Sequence, residues 1–488
     1  MHVKIETLSL NDTDQSVLGA PTNSIDPTDK QVCDDVVLLW RQEPSSEDLD
    51  IKKLHAKIKQ RNSSWSLSEK KLKTVLTNHS LYAIDDHELF TYFDQVVSTE
   101  TPMLDRKAFQ KIEVRSNEKG KALYSKCLIK QGELIFQETE PLAYIPPLEK
   151  LALAQTGKSC SLCGNSLTQS SHFTIMHGLD CAACNAIWCS KQCKRVDAIH
   201  AYLKHPMSKN KIVNAKNWLK FEKFCQDNVW NAAYSVGIIF ARILLDALDN
   251  DVTRQQFESL AQVSQRIRIK ASDSTNVGGT FDASSGSNIS DAEALWEAGY
   301  ELFCQAFPQA EKDSRMDLER FLLYVGKFNI NQVSGQIYNI YAHLNHSCEP
   351  NVRFELDPKM GIKVFARKNI VPGEELLTTY INPLHGVNLR RRELRVNWGF
   401  SCYCARCKKE LDQKKLEKTP SAPPVSPTDA VFTNSRRRKS SMKSSRPNLS
   451  KMLKNGQEFE LEIPQDIGVG VRRKSVRFDE KVMAAVEE

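Results

Sequence analysis

The sequence predicts an α+β fold in which one β-rich domain is split by insertions. Three observations carry that expectation: strand-like patterning in two separated stretches, a cysteine-rich segment after the first, and helical patterning before the second. In residues 112–145, Leu123, Leu128 and the Leu134-Ile135-Phe136 run are separated by a turn at Lys130-Gln131-Gly132-Glu133. In residues 333–379, Ile362, Val364 and Ala366 alternate, and Val371-Pro372-Gly373-Glu374 marks a turn before residues 376–380. A string of independent domains does not explain strands that resume after a metal-type insert and helices. A single split domain does.

Along the chain, residues 1–48 read as a loose leader in which residues 36–40 could anchor locally. Residues 49–105 read as a small helical domain. Ile51, Leu54 and Ile58 share one face, Ser66 and Glu69 form a capping-box pair, and Leu72, Val75 and Leu76 follow at helical spacing. A nucleic-acid-binding helix pair is the alternative for this lysine-bearing segment. Residues 111–150 carry the first strands, and 160–205 hold the cysteines. Residues 211–330 are helical, with Trp218, Phe221, Phe224, Cys225 and Val229 on one face and a flexible Ser/Gly/Asp-rich loop at 271–290. Residues 331–395 return to strands, 396–410 bring a last cysteine group, and 411–488 are Pro/Ser/basic and read as disorder.

With 488 residues, 41% hydrophobic, 26% charged and a formal net charge of +7, the chain has enough apolar material for several folded units and is mildly basic. Glu6 and Asp12 stand where a secretory signal needs an apolar core, so no signal peptide is expected. The most apolar stretch, 232–248, is interrupted by Arg242 and Asp246 and is too short to span a bilayer. No membrane partner is expected. A cytosolic or nuclear setting is reducing, where clustered cysteines serve as zinc ligands more often than as disulfides.

The cysteine segment reads Cys160-x2-Cys163, Cys181-x2-Cys184, Cys189-x3-Cys193 and His200-x4-His205. Thiolates and imidazoles suit tetrahedral zinc, and C-x2-C turns deliver two sulfurs to one ion, so these eight ligands suffice for two closed sites. A further group, Cys402-x-Cys404-x2-Cys407, lacks a fourth ligand, for which Cys348 is the candidate. Of the 14 cysteines, Cys33, Cys127, Cys225 and Cys304 remain as core or surface residues.

The order and spacing of the first eight ligands, with Trp188 directly before Cys189, resembles a MYND zinc finger. That resemblance implies interleaved sites: Cys160, Cys163, Cys189 and Cys193 on one zinc, Cys181, Cys184, His200 and His205 on the other. Asn345-His346-Ser347-Cys348-Glu349-Pro350-Asn351, followed by Glu374-Glu375-Leu376, Tyr380 and the late cysteines, resembles the SET methyltransferase signature in content and order. Over residues 111–408 the chain is therefore similar to the SET- and MYND-domain protein lysine methyltransferases and, among them, to the yeast Set-five type, which acts on the N-terminal tail of histone four. The fold this resemblance implies is a β-rich SET domain with a pseudoknot, split by a MYND-type zinc finger and helical inserts, with a post-SET zinc site and a disordered tail. S-adenosylmethionine and three zinc ions are the implied cofactors.

Residue by residue, Lys119-Gly120-Lys121-Ala122-Leu123 resembles the family's Gly-x-Gly-Leu turn, with Ala122 in place of the second glycine. The resemblance places Lys119, Gly120, Lys121, Asn345, His346, Tyr380 and Phe400 against the cofactor and makes Tyr380 the catalytic residue. Trp398 and Phe400 stand where the family has channel-wall aromatics. The family has Tyr or Phe at the position of Trp398, and the bulkier indole favours transfer of a single methyl; ordinary core packing is the alternative for both residues. Methyl transfer to lysine needs an unprotonated amine aligned with the methyl carbon and sulfur, whereas the free amine has a pKa of about 10.4. A narrow dry channel favours the neutral amine.

The implied substrate is a histone tail or nucleosome, with residence in the nucleus and on chromatin and also in the cytoplasm. A ribosomal or translation protein as substrate, or an adaptor with an inactive SET fold, are the competing readings. Arg436, Arg437, Arg438, Lys439, Lys443 and Arg446 form an acid-free basic run that suits import recognition or DNA phosphate contact. Lys474-Ser475-Val476-Arg477-Phe478 resembles the docking motif of protein phosphatase one partners, with Val476 and Phe478 on one side of an extended strand.

Overall fold

The structure is a computed structural model. It describes residues 25–79, 81–82, 89–98, 109–117, 120–167, 171–206, 212–247, 251–271, 289–312, 316–357 and 360–418. Three N-terminal helices, α1 (Asp29–Gln42), α2 (Ile51–Arg61) and α3 (Glu69–Asn78), form a small core from Val32, Val36, Val37, Leu54, Ile58, Leu72, Val75 and Leu76. Two details differ from the sequence reading. Helix α1 lies inside the stretch expected to be loose, because Thr28 and Gln31 make a reciprocal capping box and six residues of α1 are buried. The cap of α3 is Ser68, which accepts from the Lys71 backbone N–H, and not Ser66.

Strands β1 (Ile112–Asn117) and β2 (Gly120–Ser125) form an antiparallel hairpin, and β3 (Leu134–Glu138) begins the next sheet. The insert that follows contains α4 (Leu151–Gln155), α5 (Ser171–Met176), α6 (Lys191–Val196) and α7 (His200–Lys204). Helices α8 (Ala215–Asp227), α9 (Asn231–Asp246), α10 (Val252–Glu258), α11 (Gln265–Arg268), α12 (Ile289–Ala306), α13 (Pro308–Lys312) and α14 (Leu318–Asn331) build the helical section. Its core centres on Trp218, Phe221, Trp230, Phe303 and Phe321. Gly237 on α9 lets α8 approach closely, since a Cβ there would stand 2.7 Å from the Trp218 ring. The expected apolar face stops at Cys225. Val229 is exposed at a positive φ of 53°, beyond the end of α8.

The chain then supplies β4 (Asn345–His346), β5 (Val352–Leu356), β6 (Ile362–Ala366) and β7 (Leu377–Thr378). Strand β6 lies between β3 and β5, so strands from both sides of the inserts share one antiparallel sheet. Ile362, Val364 and Ala366 are its buried positions, as their alternation predicts. Strands β4 and β7 form a short parallel pair. Helix α15 (Val387–Trp398) inserts Leu389 into the N-terminal core. Helix α16 (Ala405–Lys418) continues past residue 410, where disorder was expected to begin. Most of the segment expected to be a flexible loop, residues 272–288, lies outside the described residues, as do Lys119, the basic run and Lys474–Phe478. Among the described residues no helix is long and apolar enough to cross a membrane.

Candidate active site and metal centres

Local chain geometry builds the first two cysteine groups. Bridges between Ser159 and Ser166 and between Asp180 and Ile187 close two tight turns, each holding one C-x2-C pair. Gly164, at φ +69°, donates its N–H to the Cys160 carbonyl at 3.0 Å and completes the first turn. The Ser190 hydroxyl caps α6 by accepting from Cys193 N–H and so presents Cys193 toward the same centre. The result is two sets, Cys160/Cys163/Cys189/Cys193 and Cys181/Cys184/His200/His205, each with donor atoms within 4.8 Å of one another.

The separations suit zinc. Tetrahedral ligands at a Zn–S distance of about 2.3 Å stand about 3.8 Å apart. Cys163 and Cys189 Sγ are 3.6 Å apart, and Cys189 and Cys193 Sγ are 3.5 Å apart. In the second set, His205 Nε2 lies 3.3 Å from Cys181 Sγ, and His200 Nε2 lies 3.4 Å from Cys184 Sγ. Burial, then the nearby His205 and Lys204, lowers the His200 imidazole to about 4, leaving it neutral as a ligand must be. Behind it, Asp197 accepts from Trp188 Nε1 at 2.9 Å and stands 3.9 Å from His200 Nδ1. At that separation Asp197 makes no hydrogen bond to the ring; its carboxylate is held by Trp188 and adds negative charge beside His200.

Distant segments build the third set. Cys348 Sγ lies 3.9 Å from Cys402 Sγ and 3.5 Å from Cys407 Sγ, and Cys404 completes the group. The fully buried Arg390 directs one guanidinium nitrogen at Cys407 Sγ, 3.6 Å away, and at Glu410 Oε2, 2.6 Å away. This cation offsets thiolate charge out of water. The sequence reading missed Arg390, because one arginine within Arg390-Arg391-Arg392 carries no mark of its partner.

The polar run around Asn345 lies directly against this third set. Asn345 Nδ2 donates to Glu375 Oε1 at 2.8 Å and reaches the Lys121 carbonyl at 3.5 Å, joining the early turn to β4. Asn351 Nδ2 donates to the Glu375 carbonyl, and its Oδ1 accepts from Leu377 N–H, both at 2.7 Å. His346 Nδ1 accepts from Tyr380 N–H at 3.1 Å; burial lowers this imidazole to about 4, so it is neutral. Lys121 is buried, with Nζ 3.4 Å from the Ser259 carbonyl, so its backbone and not its ammonium faces Asn345. At Gly120, φ +100°, an added Cβ would meet nothing within 4 Å, leaving open space beside the turn.

Aromatic rings close the group. Tyr380 lies 5.1 Å from Trp398 and 5.4 Å from His346, and His346 lies 6.0 Å from Phe400. The Tyr380 hydroxyl donates to the Leu344 carbonyl at 2.7 Å. Burial raises its pKa, so the phenol keeps its proton. Trp398 Nε1 donates to the Ile330 carbonyl at 3.1 Å, which anchors the indole on α14. Glu138 is a further supporting residue that the sequence reading did not single out. Its carboxylate accepts from Ile340 N–H at 3.1 Å and Tyr341 N–H at 2.8 Å, holding the turn that leads into Asn345.

A split β-rich core carrying the Asn345–His346 pair, Tyr380 and late cysteines defines a SET-type protein, and the SET domain family matches residues 120–381. The chain belongs to the SET domain family, as a full-length homologue of fungal SET5 proteins. It is 47% identical to histone-lysine N-methyltransferase SET5 of Candida glabrata, over 100% of this chain and 99% of that protein. Identity is 46% to SET5 of Eremothecium gossypii, covering 100% and 99%, and 39% to SET5 of Saccharomyces cerevisiae, covering 100% of both chains.

Proposed function

We propose that this chain is an S-adenosylmethionine-dependent histone-lysine N-methyltransferase whose acceptor is a lysine in the N-terminal tail of histone four. The observation that carries the reading is the convergence of Asn345, His346, Tyr380 and Phe400 at one place, beside the Cys348 cluster. The SET domain match and the full-length SET5 relatives support it.

S-adenosylmethionine fits the groups present. Its adenine suits an aromatic face such as Phe400, and its polar amino-acid end suits the Asn345 amide and the open turn at Gly120. Bound there, it would supply an electrophilic methyl group on a sulfonium. Tyr380 orients the acceptor amine: its proton is engaged by Leu344 O, which leaves the phenolic oxygen free to accept an amine N–H. The aromatic walls exclude water and so favour the uncharged amine. Trp398 narrows the acceptor side, which favours a single methyl.

On this reading, residues 160–205 are a MYND-type finger holding two structural zinc ions. The third zinc, on Cys348, Cys402, Cys404 and Cys407, pins a pseudoknot in which residues 345–348 pass beneath a later segment. The domain limits are 49–105 helical, 111–150 and 331–395 SET, 211–330 helical insert, and 396–410 post-SET. The basic tail brings the enzyme to the nucleus and to nucleosomal DNA, with a further pool in the cytoplasm.

Incubating the full chain with labelled S-adenosylmethionine and separate panels of histones, nucleosomes and ribosomes tests the proposal. Label on histone four is the expected result. Label confined to ribosomal proteins moves the substrate to the translation apparatus, and no label on any panel leaves the adaptor reading.

A further inference from the structure

Phe93 belongs to a segment outside the family match, yet it reaches the site. The Gly399 carbonyl accepts from both Tyr92 N–H at 3.0 Å and Phe93 N–H at 3.1 Å, and the Tyr92 hydroxyl donates to the Val396 carbonyl at 3.2 Å. Tyr92 is fully buried over Gly399, where a Cβ would stand 2.5 Å from its ring. Gly399 ends α15 at φ +82°, so glycine is required for both the turn and the close approach. This clamp fixes the backbone of Phe93, whose ring meets Phe400 edge-on at 5.8 Å and 73°.

The aromatic site has two sides. Trp398 and Tyr380 form one, and the Trp398 indole N–H bond to Ile330 O holds it in place. Phe400 stands on the other, beside His346, with no polar group to fix its ring. Phe93 is the second ring in contact with it and is 38% exposed, so this ring pair lies at the surface of the site.

We propose that Phe93 is a positioning residue that holds the Phe400 ring for the cofactor and thereby sets affinity for S-adenosylmethionine, not for the lysine substrate. This rests on the methyltransferase reading above. An edge-to-face aromatic pair contributes enough to change a dissociation constant about three- to ten-fold when one ring is removed.

The test is calorimetric titration of the full chain with S-adenosylhomocysteine, paired with peptide kinetics at saturating S-adenosylmethionine. Phe93→Ala is expected to weaken cofactor-product binding about three- to ten-fold, Phe93→Tyr to restore it, and the peptide KM to stay within about two-fold. The melting temperature of the ligand-free Ala variant should fall by no more than a few degrees, the loss expected from one aromatic pair. Equal binding by native and Ala chains overturns the proposal, as does a change confined to the peptide KM. Weakened binding accompanied by a melting temperature lowered well beyond those few degrees makes Phe93 a purely structural residue and also overturns it. If the native chain binds no S-adenosylhomocysteine, the methyltransferase reading itself fails, a result separate from these.

Discussion

Cys348 and Cys407 are 59 positions apart in the chain, yet their sulfurs are 3.5 Å apart in the fold. Cys348 follows His346 by two residues, so whatever holds these sulfurs together also holds the candidate cofactor loop. With a zinc in each of the three clusters, elemental analysis should find about three equivalents per chain. Cys404→Ser should lower zinc content toward two and abolish methyl transfer, because metal-binding energy at this site is folding energy for the loop. A native chain with two equivalents and full activity would remove the third site.

The Tyr380 phenol, protonated and bonded to Leu344 O, predicts a specific deficit. Tyr380→Phe should reduce single-turnover methylation by a factor on the order of a hundred, as for other positioned polar groups. Binding of S-adenosylhomocysteine should stay within a few-fold. Normal turnover by the Phe variant would make Tyr380 an ordinary core tyrosine.

Burial raises the Glu138 carboxyl from 4.5 to about 7, against the lowering effect of its backbone N–H donors. Below pH 4.5 the folded and unfolded chains both hold this proton. As pH rises toward 7 the unfolded chain loses it first, so this group lowers stability progressively, by up to about 3 kcal/mol. Glu138→Gln keeps an acceptor for Tyr341 N–H and removes the titration. Urea unfolding at pH 5 and pH 8 should show the Gln variant gaining on the native chain at the higher pH. Parallel behaviour would mean that Glu138 is ionised in the fold across this range.

The tail prediction takes its boundary from the structure. Leu411 packs against the third cysteine group and Glu410 bonds Arg390, so a cut at residue 411 would damage the core. Deleting residues 419–488 should leave methylation of a free histone peptide intact and weaken nucleosome binding, most visibly at low salt. Unchanged nucleosome affinity and nuclear localisation would discharge the basic run from that role.

A peptide spanning residues 468–484 should retain protein phosphatase one on beads and lose it when Val476 and Phe478 become Ala. Arg472 and Arg473 precede Ser475 in the pattern of a basophilic kinase site, and phosphate there adds roughly −1.5 to −2 charge beside the docking residues. The phosphorylated peptide should therefore also fail to retain the phosphatase. Equal retention by the native and altered peptides would refute the motif.

What the sequence determined by itself is local. C-x2-C spacing specifies a turn that brings two sulfurs to one point, whatever surrounds it, and the alternation of Ile362, Val364 and Ala366 marks a strand because side chains alternate across a sheet. The order of the Asn345–Asn351 run, Tyr380 and the late cysteines was legible for the same reason: each motif is contiguous. Tertiary structure alone decided which distant groups meet. Nothing near Tyr92 in sequence indicates that it seals Gly399, nothing around Glu138 indicates that it holds the turn before Asn345, and Arg390 resembles its neighbours until its guanidinium is seen beside Cys407. These contacts depend on where separate elements pack, which composition and periodicity do not encode locally. The N-terminal helices show both sides: their apolar faces are readable, but their use of Leu389 to dock on α15 follows only from the packed fold.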